Sequence, residues 1–126
     1  MMSKKISIAS CNGMSALGLI GRVSCEDLAS ENEDMISICI TAIAANKSGF
    51  TNIISKYPIL AINGCSDSCV NKIIESKDIN IEKTLYIDKI LSESHAKTGD
   101  PSRLDENGER AVEKLKIAIK KELNLI

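Results

Sequence analysis

The chain has 126 residues, which fits one domain and leaves little room for a second. Its 16 basic and 17 acidic residues leave a net charge of −1, so no strong electrostatic field draws it to nucleic acid or to an anionic membrane surface. Two tyrosines and one phenylalanine are its only rings, too few to stack the bases of a single strand. Ile, Leu, Val and Ala must therefore fill the core.

The sequence predicts a protein that lies outside the membrane. No apolar run approaches the ~20 residues of a membrane span. The segment Ile8-Ala9-Ser10-Cys11 resembles the cleavage box of a bacterial lipoprotein, but the apolar run before Cys11 is shorter than the ~7–15 residues of a signal-peptide core. We interpret this apolar run as a strand. We expect a cytoplasmic protein with reduced thiols. Five cysteines, an odd number, also argue against a pure disulfide framework.

Strand and helix patterns alternate along the chain. Short apolar or alternating runs predict strands at 4–10, 35–40, 59–63 and 83–87. Apolar residues at helical spacing predict helices at about 15–30, 50–57, 67–77 and 105–123. Ser15 is the expected N-cap of the first helix, and Ser66 or Asp67 that of the third. Residues 41–45 are compatible with either loop or helix, and residues 92–102 predict a loop.

This alternation predicts an α/β fold, a small doubly wound, Rossmann-like domain of three layers. Right-handed βαβ crossovers give a parallel sheet of about four strands with helices on both faces. The second and third strands are continuous apolar runs, as expected where both faces are covered. The expected strand order is 2-1-3-4. We expect one domain over residues 1–126, with 105–126 as its C-terminal amphipathic helix.

Four of the five cysteines follow predicted strands. Cys11 follows the first strand, Cys39 lies at the end of the second, and Cys65 follows the third, with Cys69 four residues later. The carboxyl ends of parallel strands share one edge of the sheet, where open α/β sheets place their ligands. Thiolates gathered there could hold zinc tetrahedrally, with Zn–S bonds of about 2.3 Å. We therefore expect Cys11, Cys39, Cys65 and Cys69 to be the metal ligands.

Local chemistry supports the same interpretation. If a helix begins between Cys65 and Cys69, their i, i+4 spacing puts both sulfurs on one face at a helix N-terminus, where thiolates are favoured. The alternative for any single cysteine is a small, buried hydrophobe. Four thiols at equivalent positions in the topology are harder to ascribe to packing. The C-x3-C spacing is less specific than C-x2-C.

Two further residues test this placement. Cys25 lies about 15 Å along the first helix from its start, at 1.5 Å per residue, so we expect a packed thiol away from the ligand edge. His95, the only histidine, falls in the loop after the fourth strand; a ligand or proton-transfer role is possible. We prefer a solvent-exposed histidine there. Nearby, Asp100-Pro101-Ser102 predicts an N-cap and first helical turn.

The segment Asn63-Gly64-Cys65-Ser66-Asp67-Ser68-Cys69, placed after an apolar strand, resembles the DGC-domain family. That family is named for an Asp-Gly-Cys triplet and is described as having four cysteines thought to bind zinc. Its first cysteine-glycine motif resembles Ser10-Cys11-Asn12-Gly13, and its strand-borne cysteine resembles Cys39. The resemblance covers about residues 5–90 and implies zinc as the cofactor. The family's aspartate is Asn63 here, which puts any acid–base role at that position in doubt.

Three hypotheses follow. The first is a zinc-binding protein with a four-cysteine site at the sheet edge. The second is a thiol-redox or sulfur-transfer enzyme, in which Cys65 attacks and Cys69 or Cys11 resolves the intermediate. The third is an interaction domain whose cysteines are incidental. No feature of the sequence identifies a small-molecule or protein partner.

Overall fold

The computed structural model describes residues 5–123 as alternating strands and helices around one sheet. The strands are β1 (Ile6–Ser10), β2 (Met35–Ile38), β3 (Ile59–Asn63) and β4 (Lys83–Tyr86). The helices are α1 (Ala16–Glu31), α2 (Ile40–Ala44), α3 (Ser48–Lys56), α4 (Cys69–Glu75), α5 (Ile87–Glu93) and α6 (Glu106–Leu123). The predictions for residues 4 and 124–126 lie outside the described part of the chain.

All strand pairs of the sheet are parallel, in the order β2-β1-β3-β4. The predicted α/β class and strand order are therefore confirmed. In the register, Ser10 lies opposite Ile62, and Asn63 lies opposite Tyr86. This pairing aligns the carboxyl ends of β1, β3 and β4 at one edge of the sheet.

Alternate residues of the central strands divide the core into two halves. Ile8 and Leu60 pack under α1, α5 and α6. Ala9 and Ala61 face the opposite way and pack under α2, α3 and α4. All four are fully buried, because β1 and β3 are covered on both faces. The chain therefore forms the predicted three layers.

A cluster of charged side chains links α6 to α1, which lie on the same face of the sheet. The Lys116 side chain is only 9% exposed, and its Nζ lies 2.8 Å from Glu31 and 3.5 Å from Asp27 of α1. The hydrogen bond from Lys116 holds the pKa of Glu31 below its usual range, and the same bond raises the pKa of Lys116. The long aliphatic stem of the lysine is thus buried while its charge is paired.

The helix starts and ends differ from the predictions in three places. Residues 41–45 were left open between loop and helix; α2 covers Ile40–Ala44, so β2 ends at Ile38, two residues before the predicted end of the second strand. No helix was predicted between the fourth strand and the loop at 92–102, whereas α5 follows β4 directly at Ile87 and continues to Glu93. The first turn of α6 is capped by Asp105, whose Oδ1 accepts from the Gly108 N–H at 2.8 Å. The N-cap predicted at Asp100 is therefore wrong; Asp100 instead accepts from the backbone and hydroxyl of Ser102 in a turn.

None of the helices described between residues 5 and 123 is long and apolar enough to cross a bilayer.

Candidate functional site

The crevice between the carboxyl ends of β1 and β3 is the point where the chain turns to opposite faces of the sheet. After β1 it enters α1 on one face, and after β3 it enters α4 on the other. The two loops therefore separate and leave an opening between them. Open α/β sheets bind ligands at such a switch point. The residues at this opening are Cys11, directly after β1, and Gly64-Cys65, directly after β3.

Cys11 is held at the opening by the main chain. Its N–H donates to the Ile62 carbonyl at 2.8 Å, which extends the β1–β3 ladder by one residue. Its half-buried side chain lies against Gly64: a Cβ added to that glycine would be 3.4 Å from the Cys11 Sγ. A methyl group at position 64 would therefore be in van der Waals contact with the thiol. The structure thus brings Cys11 next to the residue that precedes Cys65.

Cys65 and Cys69 flank a tight turn. The Ser68 N–H donates to the Cys65 carbonyl at 3.1 Å, and Ser68 has a left-handed backbone with φ of 55°. Helix α4 begins only at Cys69. The predicted helix start between the two cysteines, capped by Ser66 or Asp67, is therefore wrong, and the pair does not share a helical face. Instead, the half-buried Cys65 thiol donates to the Asp67 carboxylate at 3.6 Å, and Cys69 is exposed.

Asn63 anchors this turn from the end of β3. Its side-chain Oδ1 accepts from the backbone N–H groups of Val70 at 3.0 Å and Asn71 at 3.4 Å. Its Nδ2 donates to the Asn71 Oδ1 at 2.8 Å. Asn63 is 1% exposed, and its bond to the Val70 N–H is shielded from water, whereas its two bonds to Asn71 are part-buried. Asn63 thus caps α4 from the end of β3.

Polar side chains of β4 complete the support of the turn. Thr84 Oγ1 accepts from Asn71 Nδ2 at 3.2 Å, and the Tyr86 hydroxyl lies 2.9 Å from Ser68 Oγ. Asn71, Thr84 and Tyr86 were not predicted to have a role. Thr84 and Tyr86 are two residues apart, so they share a face of β4. These two polar residues on one face of β4 were the signal available in the sequence.

Cys39 lies on the far side of Cys11, where it precedes the first turn of α2. Its side chain is exposed. The loop after β1 is tied to the same helix, since Asn12 Nδ2 donates to Thr41 Oγ1 at 3.3 Å. A cavity of about 300 Å³ separates Cys39 from α1 and is also lined by Ser10 and Cys25.

Cys25 is a packed thiol, as predicted. It is 2% exposed, and burial raises its pKa to about 12, which keeps it neutral. Its predicted separation from the ligand edge is wrong, however, because it lines the same cavity as Cys39. Helix α1 passes back over the end of β1, where Gly21 lets it approach Ser10 closely. Distance along the helix therefore overstated distance from the edge.

His95 is exposed, as preferred from the sequence, but it does not lie directly after β4. Helix α5 intervenes, and His95 ends it in a left-handed conformation with φ of 56°. Its N–H donates to Ser92, and the next N–H, of Ala96, donates to Leu91, the bond pattern of a Schellman motif. The residue thus has a local structural role at a helix end.

Within residues 5–123, no three His, Cys, Asp or Glu side chains stand close enough together to hold a metal ion. A family model for the DGC domain matches residues 7–117, which is most of the chain. The chain belongs to the DGC-domain family. No curated protein and no solved structure gave a match. In this DGC-domain protein, the segment Asn63-Gly64-Cys65, which resembles the Asp-Gly-Cys triplet, lies at the switch point between β1 and β3.

Proposed function

We propose that this DGC-domain protein binds one zinc ion through Cys11, Cys39, Cys65 and Cys69. The observation that carries the proposal is the close approach of the Cys11 thiol to Gly64, the residue that precedes Cys65, at the switch point between β1 and β3. Thiolate sulfur is a preferred ligand of zinc, and four such donors match its tetrahedral geometry. The proposed setting is the cytoplasm, where the thiols stay reduced.

Four cysteine sulfurs are suitable ligands for zinc. Within residues 5–123, however, no three potential ligands stand close enough together to hold the ion. The proposal therefore requires metal binding to draw donors together. Cys39 and Cys69 have exposed side chains, and Cys11 and Cys65 are half-buried at the opening itself. The hydrogen bonds of Asn12, near Cys39, and of Asn63, near Cys65, do not involve these thiols.

The number of ligands decides what the ion would do. Four cysteine ligands close the coordination shell, which makes the site structural or regulatory. With three, the fourth position would be open, and zinc would supply Lewis-acid chemistry to a water or thiol there.

Metal content is the direct test. Protein purified without chelator under reducing conditions should contain about one zinc per chain, and the Cys65→Ser/Cys69→Ser variant should contain none. Cys25→Ala is the matched control, because it removes a cysteine that is buried and outside the proposed set, and it should retain zinc. Single serine variants at Cys11 and Cys39 then count the ligands. Metal-free wild-type protein, or zinc retained by the double variant, would refute the proposal.

The second candidate is thiol-redox or sulfur-transfer chemistry by Cys65 and Cys69, with Cys11 as a third thiol. The tight turn favours this candidate, because the hydrogen bond from the Ser68 N–H to the Cys65 carbonyl folds the chain back between the two cysteines. This candidate predicts a reversible Cys65–Cys69 disulfide after treatment with a small disulfide oxidant, found by peptide mass spectrometry. If these cysteines remain reduced, or pair only after denaturation, the candidate is excluded.

A further inference from the structure

We infer that Asn63 is a positioning residue that presets the turn bearing Cys65 and Cys69. The turn needs a hydrogen-bond acceptor at position 63, but it does not need that acceptor to carry a negative charge. The expected change in zinc affinity rests on the proposed function. The role of Asn63 in holding the turn does not depend on zinc.

The first support is the direction of the Asn63 bonds. One side-chain oxygen receives the Val70 and Asn71 N–H groups, which are in the first turn of α4 and have no carbonyl partner within the helix. The Val70 N–H is buried, so without this acceptor it would lose its partner where water cannot replace it. Asn63 thus sets where α4 begins, at Cys69.

The second support is that the turn is held from two strands. Asn71 receives a bond from Asn63 and gives one to Thr84, which links β3 to β4 through the helix. The Tyr86 hydroxyl contacts Ser68, the left-handed residue directly before Cys69. Networks in which each member has a partner are more rigid than isolated bonds. The path of residues 64–69 is therefore determined before any ligand binds.

The third support explains why a neutral residue suffices at position 63. The two backbone N–H groups need one acceptor oxygen, which an amide or a carboxylate can supply. If position 63 carried a carboxylate, the Asn71 amide could turn over and donate to its second oxygen. The amide in this chain satisfies the same groups without placing a buried charge under the site. The departure from the family's aspartate therefore preserves the geometry of the turn.

The test compares Asn63→Leu, which removes the acceptor, with Asn63→Asp, which keeps it. Amide hydrogen exchange and zinc affinity, by competition with a chromophoric chelator, are measured for both. In Asn63→Leu, the Val70 and Asn71 amides should exchange at least ~10-fold faster, and zinc should bind ~10–100-fold more weakly, as for other residues that orient ligands. In Asn63→Asp, both quantities should stay within ~3-fold of wild type. Asn52→Leu, on the exposed side of α3, is the control and should change neither.

A milder variant keeps the test decisive if Asn63→Leu fails to fold. Tyr86→Phe removes only the hydroxyl that contacts Ser68, and the Ser68 amide should then exchange ~3–10-fold faster. Tyr57→Phe, which alters the chain's other tyrosine before β3, should leave it unchanged. The inference is overturned if Asn63→Asp behaves like Asn63→Leu, or if Tyr86→Phe leaves exchange unchanged. A wild-type protein without zinc refutes the proposed function alone, because hydrogen exchange still tests the turn.

Discussion

Replacing Gly18 by alanine tests how closely helix α1 packs against the loop that carries Cys11. A Cβ at position 18 would overlap the Gly13 carbonyl oxygen and lie 2.6 Å from its nitrogen and 2.8 Å from its carbonyl carbon. These are backbone atoms, so they cannot move aside by rotating a side chain. The methyl group must therefore displace the loop, the helix or both.

The magnitude follows from two opposing effects. Alanine in place of a glycine within a helix stabilises it by about 0.8–1 kcal/mol. Overpacking a closely fitted contact costs about 1–3 kcal/mol, and contact with backbone atoms on this scale belongs near the upper end. We expect Gly18→Ala to lower the free energy of unfolding by about 1–2 kcal/mol. We also expect faster alkylation of Cys11, because the displaced loop begins at that residue.

Urea unfolding followed by circular dichroism measures the change, with Gly49→Ala as the matched control. Gly49 is also helical, in α3, but a Cβ built there meets nothing within 4 Å. That variant should gain up to about 1 kcal/mol, because only the helix preference of alanine operates. If Gly18→Ala raises the free energy of unfolding above that of wild type by as much as Gly49→Ala does, the loop is not packed against α1 as described.

Four further outcomes are expected. Ser7→Ala should stabilise the protein by about 1 kcal/mol in thermal unfolding, because the buried Ser7 hydroxyl has no hydrogen-bond partner within residues 5–123. His95→Gly should stabilise by about 0.5–1 kcal/mol, since glycine tolerates a φ of 56°, and should leave zinc content unchanged; loss of zinc would make His95 a ligand. The Glu31 carboxylate, whose pKa is lowered by Lys116, stabilises the fold above the unfolded carboxyl pKa of about 4.3. That contribution is lost as pH falls through the folded pKa, so wild type should lose more stability between pH 5 and 2 than Glu31→Gln, and equal losses would contradict the pairing. At pH 8 the Cys25 thiol, with its pKa raised by burial to about 12, should be alkylated more slowly than every exposed cysteine.

Sequence patterns predicted the fold well because its central strands are buried on both faces. The third strand was placed at residues 59–63, its bounds in the structure, since a short apolar run between Pro58 and Gly64 has few other interpretations. Helix α5 was missed because it follows β4 without a turn signal or a capping residue, and no side chain caps its start. The α4 start was placed too early because Ser66 and Asp67 are good local caps, whereas the actual acceptor is Asn63 on a strand.

The sequence by itself determined that four of the five cysteines follow strands, and parallel pairing then brings the strand ends to one edge. That inference needs only the order of elements and the direction of the chain. Tertiary structure alone decided which groups meet there. Cys25 shares a cavity with Cys39 because α1 crosses back over β1, and Asn63 caps a helix that begins six residues later because the loop folds under β4. Such contacts depend on helix crossing and loop path, which local periodicity does not encode.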